Sequence, residues 1–148
     1  EWQRTLATNL TSTFAILRSS VRPMLKQGKG SIVFVSTAAA QMGLPHHEGI
    51  AASKGGIDAL VRSAAATYGP AGIRVNAVAP GLVDTPLTKR ITSSEKARES
   101  SLAMHALKRL GTPRDVASAM AWLLDDDADW ITGQVLGGDG GLAQVRAS

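Results

Sequence analysis

Two short apolar runs constrain this chain more than any other feature: Ser31-Ile32-Val33-Phe34-Val35-Ser36-Thr37 and Ile73-Arg74-Val75-Asn76-Ala77-Val78-Ala79. Each follows a glycine stop after a stretch of helical periodicity, and each is rich in β-branched residues. Such runs read as strands buried on both faces, and a sheet of that kind is parallel and covered by helices.

The flanking segments supply those helices. From Trp2 to about Lys26 the residues Leu6, Leu10, Phe14, Leu17, Val21, Met24 and Leu25 recur at intervals of three and four, and Gly28 and Gly30 end the pattern. Ala38 to Gly49 has no period and holds Gly43 and Pro45, so a loop is expected; Ile50 to Tyr68 is helical again, with Ile57, Leu60 and Val61 on one side. Gly69-Pro70-Ala71-Gly72 breaks that helix, and Pro80-Gly81 ends the second strand. Within the long connection from Leu82 to Arg109, Thr92-Ser93-Ser94-Glu95 predicts a capped short helix. Thr112-Pro113-Arg114-Asp115 opens another, carried to Leu124 by Val116, Met120, Leu123 and Leu124. A third strand is expected over Ile131 to Leu136, and Gly137-Gly138-Asp139-Gly140-Gly141 after it reads as a C-terminal turn. The alternation of helix and strand predicts a parallel α/β sheet with right-handed crossovers, in one domain over residues 1–148.

Composition narrows the function classes. Hydrophobic residues at 44% and charged residues at 19% describe an ordinary globular chain. The net charge of +4 is mild, and Arg18, Arg22 and Lys26, spaced at i, i+4 and i+8, read as a solvated helix face, so no nucleic-acid partner is expected. Cysteine is absent, which removes disulfides and thiolate metal sites, and no metal is expected. No membrane span or secretion signal is apparent, and a cytoplasmic location is the expectation. The chain begins at Glu1, which suggests a start inside a longer translated product or after a cleavage.

Five segments stand in a telling order: Ala7-Thr8-Asn9-Leu10, Val35-Ser36-Thr37, Ala51-Ala52-Ser53-Lys54, Arg74-Val75-Asn76-Ala77-Val78-Ala79-Pro80-Gly81 and Ile131-Thr132-Gly133-Gln134. Together they resemble the short-chain dehydrogenase/reductase family, nearest its ketoacyl-carrier-protein-reductase-like branch, from Trp2 to Gly141. The resemblance implies a partial Rossmann-like, doubly wound sheet keeping three strands, and NAD(P)-dependent carbonyl reduction or alcohol oxidation. It maps the family's Asn, Ser, Tyr and Lys onto Asn9, Thr37, Ile50 and Lys54. In the family the tyrosine exchanges the proton at the substrate oxygen, the lysine lowers its pKa and holds the ribose, the serine fixes the substrate oxygen, and the asparagine orders a relay water. Threonine keeps the hydroxyl, whereas isoleucine has no proton to transfer. Tyr68, the sole tyrosine, lies five helical turns further on. Cofactor contacts map only to the nicotinamide side: Asn9, Lys54, Pro80, Gly81, Val83 and Thr85. The family's glycine-rich phosphate turn would lie before Glu1, in a parent longer by roughly 100 residues, so poor cofactor binding and impaired catalysis are expected of this chain.

Two other classes compete. Ser36 or Thr37 with His46-His47-Glu48 could form an esterase-like hydrolase site, although no nucleophile elbow surrounds either hydroxyl. A non-catalytic oligomerising module is the other: the strand at Ser31 to Thr37 would be an open edge, and the helices at Trp2 to Lys26 and Ile50 to Tyr68 resemble the family's four-helix contact. A homo-oligomer, dimer or tetramer, is therefore expected, with a small carbonyl or alcohol substrate if the chain is active.

Overall fold

In the computed structural model, which describes residues 1–146, the first helical stretch folds as three consecutive pieces. These are α1 (Trp2–Leu6), a π-helical turn over Ala7–Thr11, and α2 (Ser12–Gln27), which ends on Gly28 in the left-handed conformation at φ 66°. There follow β1 (Gly30–Val35), α3 (Glu48–Tyr68), β2 (Ile73–Pro80), the short α4 (Lys89–Thr92), α5 (Glu95–Met104), α6 (Pro113–Leu124) and β3 (Val135–Gly138).

The sheet has the order β1-β2-β3, parallel throughout. Gly30 pairs with Ile73 and Val35 with Val78 along one side of β2, and Ala77 to Pro80 pair with Val135 to Gly138 along the other. β2 is the sheet's centre and is buried at Ile73 and from Val75 to Ala79. On one face, Ile32, Phe34, Ile73, Val75 and Ala77 pack against Leu17 and Val21 of α2 and Ile57, Val61, Ala64 and Ala65 of α3. Ser31 and Arg74 point the other way, as alternation along a strand demands. There they bind the end of α6: Ser31 Oγ donates to Leu123 O at 3.1 Å, and the Arg74 guanidinium donates to Leu123 O at 2.7 Å and Asp125 O at 2.9 Å. A cation on the exposed carbonyls of a helix C-terminus opposes the helix dipole and closes that end.

The helix starts follow the expected chemistry. Ser94 Oγ caps α5 by accepting from Ala97 N, and Thr112 with Asp115 forms a reciprocal capping box on α6. Gly72 is required by close approach, since a Cβ there would lie 2.5 Å from Gly28 O, and its own φ is 75°. Among the described residues no helix is long and apolar enough to cross a membrane.

Two expectations at the C-terminal end need correction. The third strand runs from Val135 to Gly138, not from Ile131 to Leu136. Residues 131–134 are instead a turn stapled to β2: Thr132 Oγ1 accepts from Val75 N, Asn76 Nδ2 donates to Ile131 O, and Asn76 Oδ1 accepts from Gln134 N. Gly133 at φ 74° breaks any extension. Correspondingly Gly137 and Gly138 belong to the strand, and the turn starts at Asp139, whose carboxylate accepts from Gly141 N and Ala143 N.

Candidate active site

Three elements meet at the C-terminal end of β1. Asn9 lies within the π turn, a local widening of the helix that recurs at functional positions. Its Nδ2 donates to Ser53 Oγ at 3.2 Å, and Ser53, fully buried, donates in turn to Ile50 O at 3.0 Å. Thr13 Oγ1 donates to Asn9 O, holding the backbone of the π turn. The asparagine side chain is thereby fixed to the first turns of α3.

Ile50 stands in the first turn of α3 and is 40% exposed. One turn later Lys54 reaches the end of β1, where Nζ donates to Val35 O at 2.7 Å. Ser36 Oγ donates to Lys54 O at 3.5 Å, so strand end and helix are bonded in both directions. Thr37 Oγ1 accepts from Ala39 N and caps the short turn at Ala38–Ala40, leaving the hydroxyl proton for another acceptor. Tyr68, at the far end of α3, is about 27 Å from Ile50 along the axis and packs beside the core cluster.

One further turn along α3 stands Asp58, which the sequence reading did not single out although its i+4 spacing from Lys54 was visible. It is 7% exposed, and among the described residues its Oδ1 has no hydrogen-bond partner. Burial pushes its carboxyl above the ordinary value, against the opposing pull of the Ser36 hydroxyl, Arg62 and Lys54. Burial also pushes the Lys54 ammonium down, and the Asp58 carboxylate opposes this. The pair leaves Lys54 a desolvated cation beside a carboxyl that resists ionisation.

The cofactor-side residues lie alongside. Pro80 ends β2 beside β1, where Ser36 N donates to Val78 O at 2.8 Å. Val83 bridges to Gly111, and Thr85 caps the turn at Pro86–Thr88, with its hydroxyl 3.0 Å from that of Thr88. Thr37 and Lys54 thus lie at the end of β1, Asn9 and Ile50 at the first turns of α3, and Pro80 with residues 81–85 at and beyond the end of the adjacent strand. Ligands of parallel α/β sheets bind beyond the carboxyl ends of the strands.

The residues of the hydrolase reading are not joined to one another by hydrogen bonds among the described residues. His47 Nδ1 is bonded to Pro45 O at 2.7 Å, His46 and His47 are exposed, and among the described residues neither is hydrogen-bonded to Ser36 or Thr37. No cluster of metal-ligating side chains occurs among the described residues.

Comparison with known proteins follows the same lines. A family model described as Enoyl-(Acyl carrier protein) reductase matches residues 1–143. The 3-oxoacyl-[acyl-carrier-protein] reductase of Thermotoga maritima is 40% identical over 142 residues, covering 96% of this chain and 57% of that protein. A short-chain type dehydrogenase/reductase from Mycobacterium ulcerans superposes with a TM-score of 0.93 at 35% identity, over 99% of this chain and 53% of that one. A structure from Beutenbergia cavernae with NADP bound at low occupancy gives 0.94 at 31% identity, over 97% and 58% of the two chains. The chain therefore spans somewhat more than half the length of the relatives it matches.

Proposed function

The chain belongs to the short-chain dehydrogenase/reductase family, and on that premise we propose that the end of β1 is the substrate and nicotinamide side of an NAD(P)-dependent oxidoreductase site acting on a carbonyl or alcohol. The observation that carries this reading is that Thr37 lies just past the end of β1, Lys54 bonds Val35 O at that end, and Asn9 is tied through Ser53 to the same turns of α3.

The donor set suits the nicotinamide ribose. Lys54 Nζ has three protons and gives one to Val35 O, which leaves two for ribose hydroxyls. Residues 80–85, already fixed by their own hydrogen bonds, would line the nicotinamide. Among the described residues no glycine-rich turn leads from a strand into a helix. A bound dinucleotide would supply the hydride. Thr37 Oγ1 donates to the substrate oxygen, Asn9 positions the first turns of α3 through Ser53, and Ile50 withholds the proton that a general acid would deliver.

Loss of a general acid costs about 10²–10⁴ in rate, which is the impairment this reading assigns to Ile50. The test is ketone reduction with NADPH and NADH by the intact molecule, with and without Ile50→Tyr. A gain of that size on restoring the phenol supports the reading. Fast turnover with Ile50 in place would mean that another group delivers the proton.

Self-association forms part of the proposal. Trp2, Phe14, Ile16 and Leu25 are each between 46% and 55% exposed on α1 and α2, more apolar surface than a lone helix leaves to water. Sedimentation velocity should give a dimer or tetramer, and a monodisperse monomer would overturn this.

A further inference from the structure

We infer that His105 is a positioning residue that locks the Pro80-Gly81-Leu82 turn, and through it the nicotinamide-facing loop of the proposed site, to α5 and to the turn after β3. It lies in the long connection that sequence reading left without a function, directly after α5, and is 1% exposed.

The hydrogen bonds define its state. Ser101 O and Leu82 N–H are a pure acceptor and a pure donor, 2.6 Å from Nδ1 and 3.3 Å from Nε2. Nδ1 therefore carries the proton and Nε2 is bare, a neutral imidazole in one tautomer. Each ring nitrogen grips a different segment, Nδ1 the last turn of α5 and Nε2 the first residues after β2.

Packing closes the third side. Gly81 has no room for a side chain, because a Cβ there would meet His105 Nε2 at 2.6 Å and Asp139 O at 2.9 Å. Gly140, at φ 62°, has its Cβ position 3.5 Å from His105 Cδ2, and Leu107 N donates to Gly140 O at 3.1 Å. The ring thus excludes a side chain at Gly81, whereas Gly140 owes its glycine to the positive φ and lies at ordinary contact distance from the ring. The charged groups on the same cavity of about 420 Å³ are already engaged: Arg109 with Asp115, and Asp139 with the amides of Gly141 and Ala143.

Because Gly81 is one of the proposed nicotinamide contacts, the assignment rests on the oxidoreductase reading, but its geometry is testable without turnover. In the ¹⁵N-labelled full chain, the His105 imidazole should show the Nδ1–H tautomer and the Leu82 amide should exchange slowly. His105→Asn keeps a donor toward Ser101 O and loses the acceptor for Leu82, so Leu82 exchange should quicken about tenfold. His105→Gln restores an acceptor at the Nε2 position and should return exchange to within about twofold of the parent. An Nε2–H tautomer in the parent, or a Leu82 amide indifferent to His105→Asn, would overturn the inference; the parent measurement decides it even if a variant fails to fold. Titration with NADPH separates the two claims. Shifts at Gly81 and Val83 that weaken in His105→Asn would support both. No shift in the parent, with Leu82 still protected, would remove the nicotinamide reading and reduce His105 to a fold contact.

Discussion

The two flanks of β2 are finished to different degrees. On the β3 side every buried polar side chain among the described residues has its partners: Asn76 bonds both Ile131 O and Gln134 N, the half-buried Arg74 covers the end of α6, and both nitrogens of His105 are engaged. On the β1 side Val35 is 39% exposed at the sheet edge, Ile50 is 40% exposed in the first turn of α3, and Asp58 Oδ1 is buried without a partner among the described residues. Buried polar groups in native proteins are rarely left unmatched, so an orphan carboxyl oxygen beside a desolvated lysine marks a region organised around something other than packing. The contrast separates a β3 flank whose polar groups are matched from a β1 flank that carries an unmatched carboxyl oxygen and, on the reading proposed above, the chemistry.

That division can be broken experimentally. The largest effect is expected on the β1 flank from Ile50→Tyr, with kcat for ketone reduction by the intact molecule rising about 10²–10⁴-fold and no comparable gain in stability. If the variant melted higher without any gain in rate, the β1 flank would be ordinary surface. Next comes Asn76→Ala on the β3 flank. Removing a fully buried side chain that holds the 131–134 turn to β2 should cost on the order of 3 kcal/mol in urea unfolding, since it strands Gln134 N–H and Ile131 O. A cost under about 1 kcal/mol would mean that the matched polar groups of that flank do little to hold it.

A smaller effect, of opposite sign, is expected from Asp58→Asn. The folded-state pKa of Asp58 is raised, so ionisation opposes folding: the native protein is favoured below the unfolded carboxylate pKa and loses that advantage as pH rises through the folded value. The neutral amide escapes this loss and should be more stable than the parent at neutral pH, with the difference shrinking toward pH 4. A variant less stable than the parent at neutral pH would show that the carboxylate is satisfied after all. Smallest is Lys29→Ala: the 2.7 Å pair with Asp126 is more than 70% exposed on both sides, and the melting temperature should not move measurably.

Much of the fold was legible in the sequence. β1, β2, α3 and α6 lie within a few residues of their expected bounds because buried strands and capped helices leave strong local signatures. The third strand was set too early because Ile131 and Thr132 have strand propensity, and only the tertiary bonds of Asn76 and the φ of Gly133 turn them into a loop. The π turn was invisible, since one added residue barely disturbs an apolar period of three and four. At the site, Asn9, Thr37, Ile50 and Lys54 came from the resemblance in motif order, and the structure gives their mutual geometry. Asp58 had a readable i+4 signal that went unused. His105 had none: its burial depends on α5 folding back beside Gly81, a contact between residues 24 positions apart that no local pattern encodes.

The bonds from Ser31 and Arg74 to the end of α6 have a consequence for how the molecule opens. Leu123 O receives both, one from β1 and one from β2, so the last turn of α6 cannot fray without releasing the starts of two strands. In native-state hydrogen exchange the amides of β2 and of that turn should therefore open as one cooperative unit, while α1, with no buried residue, exchanges independently and first.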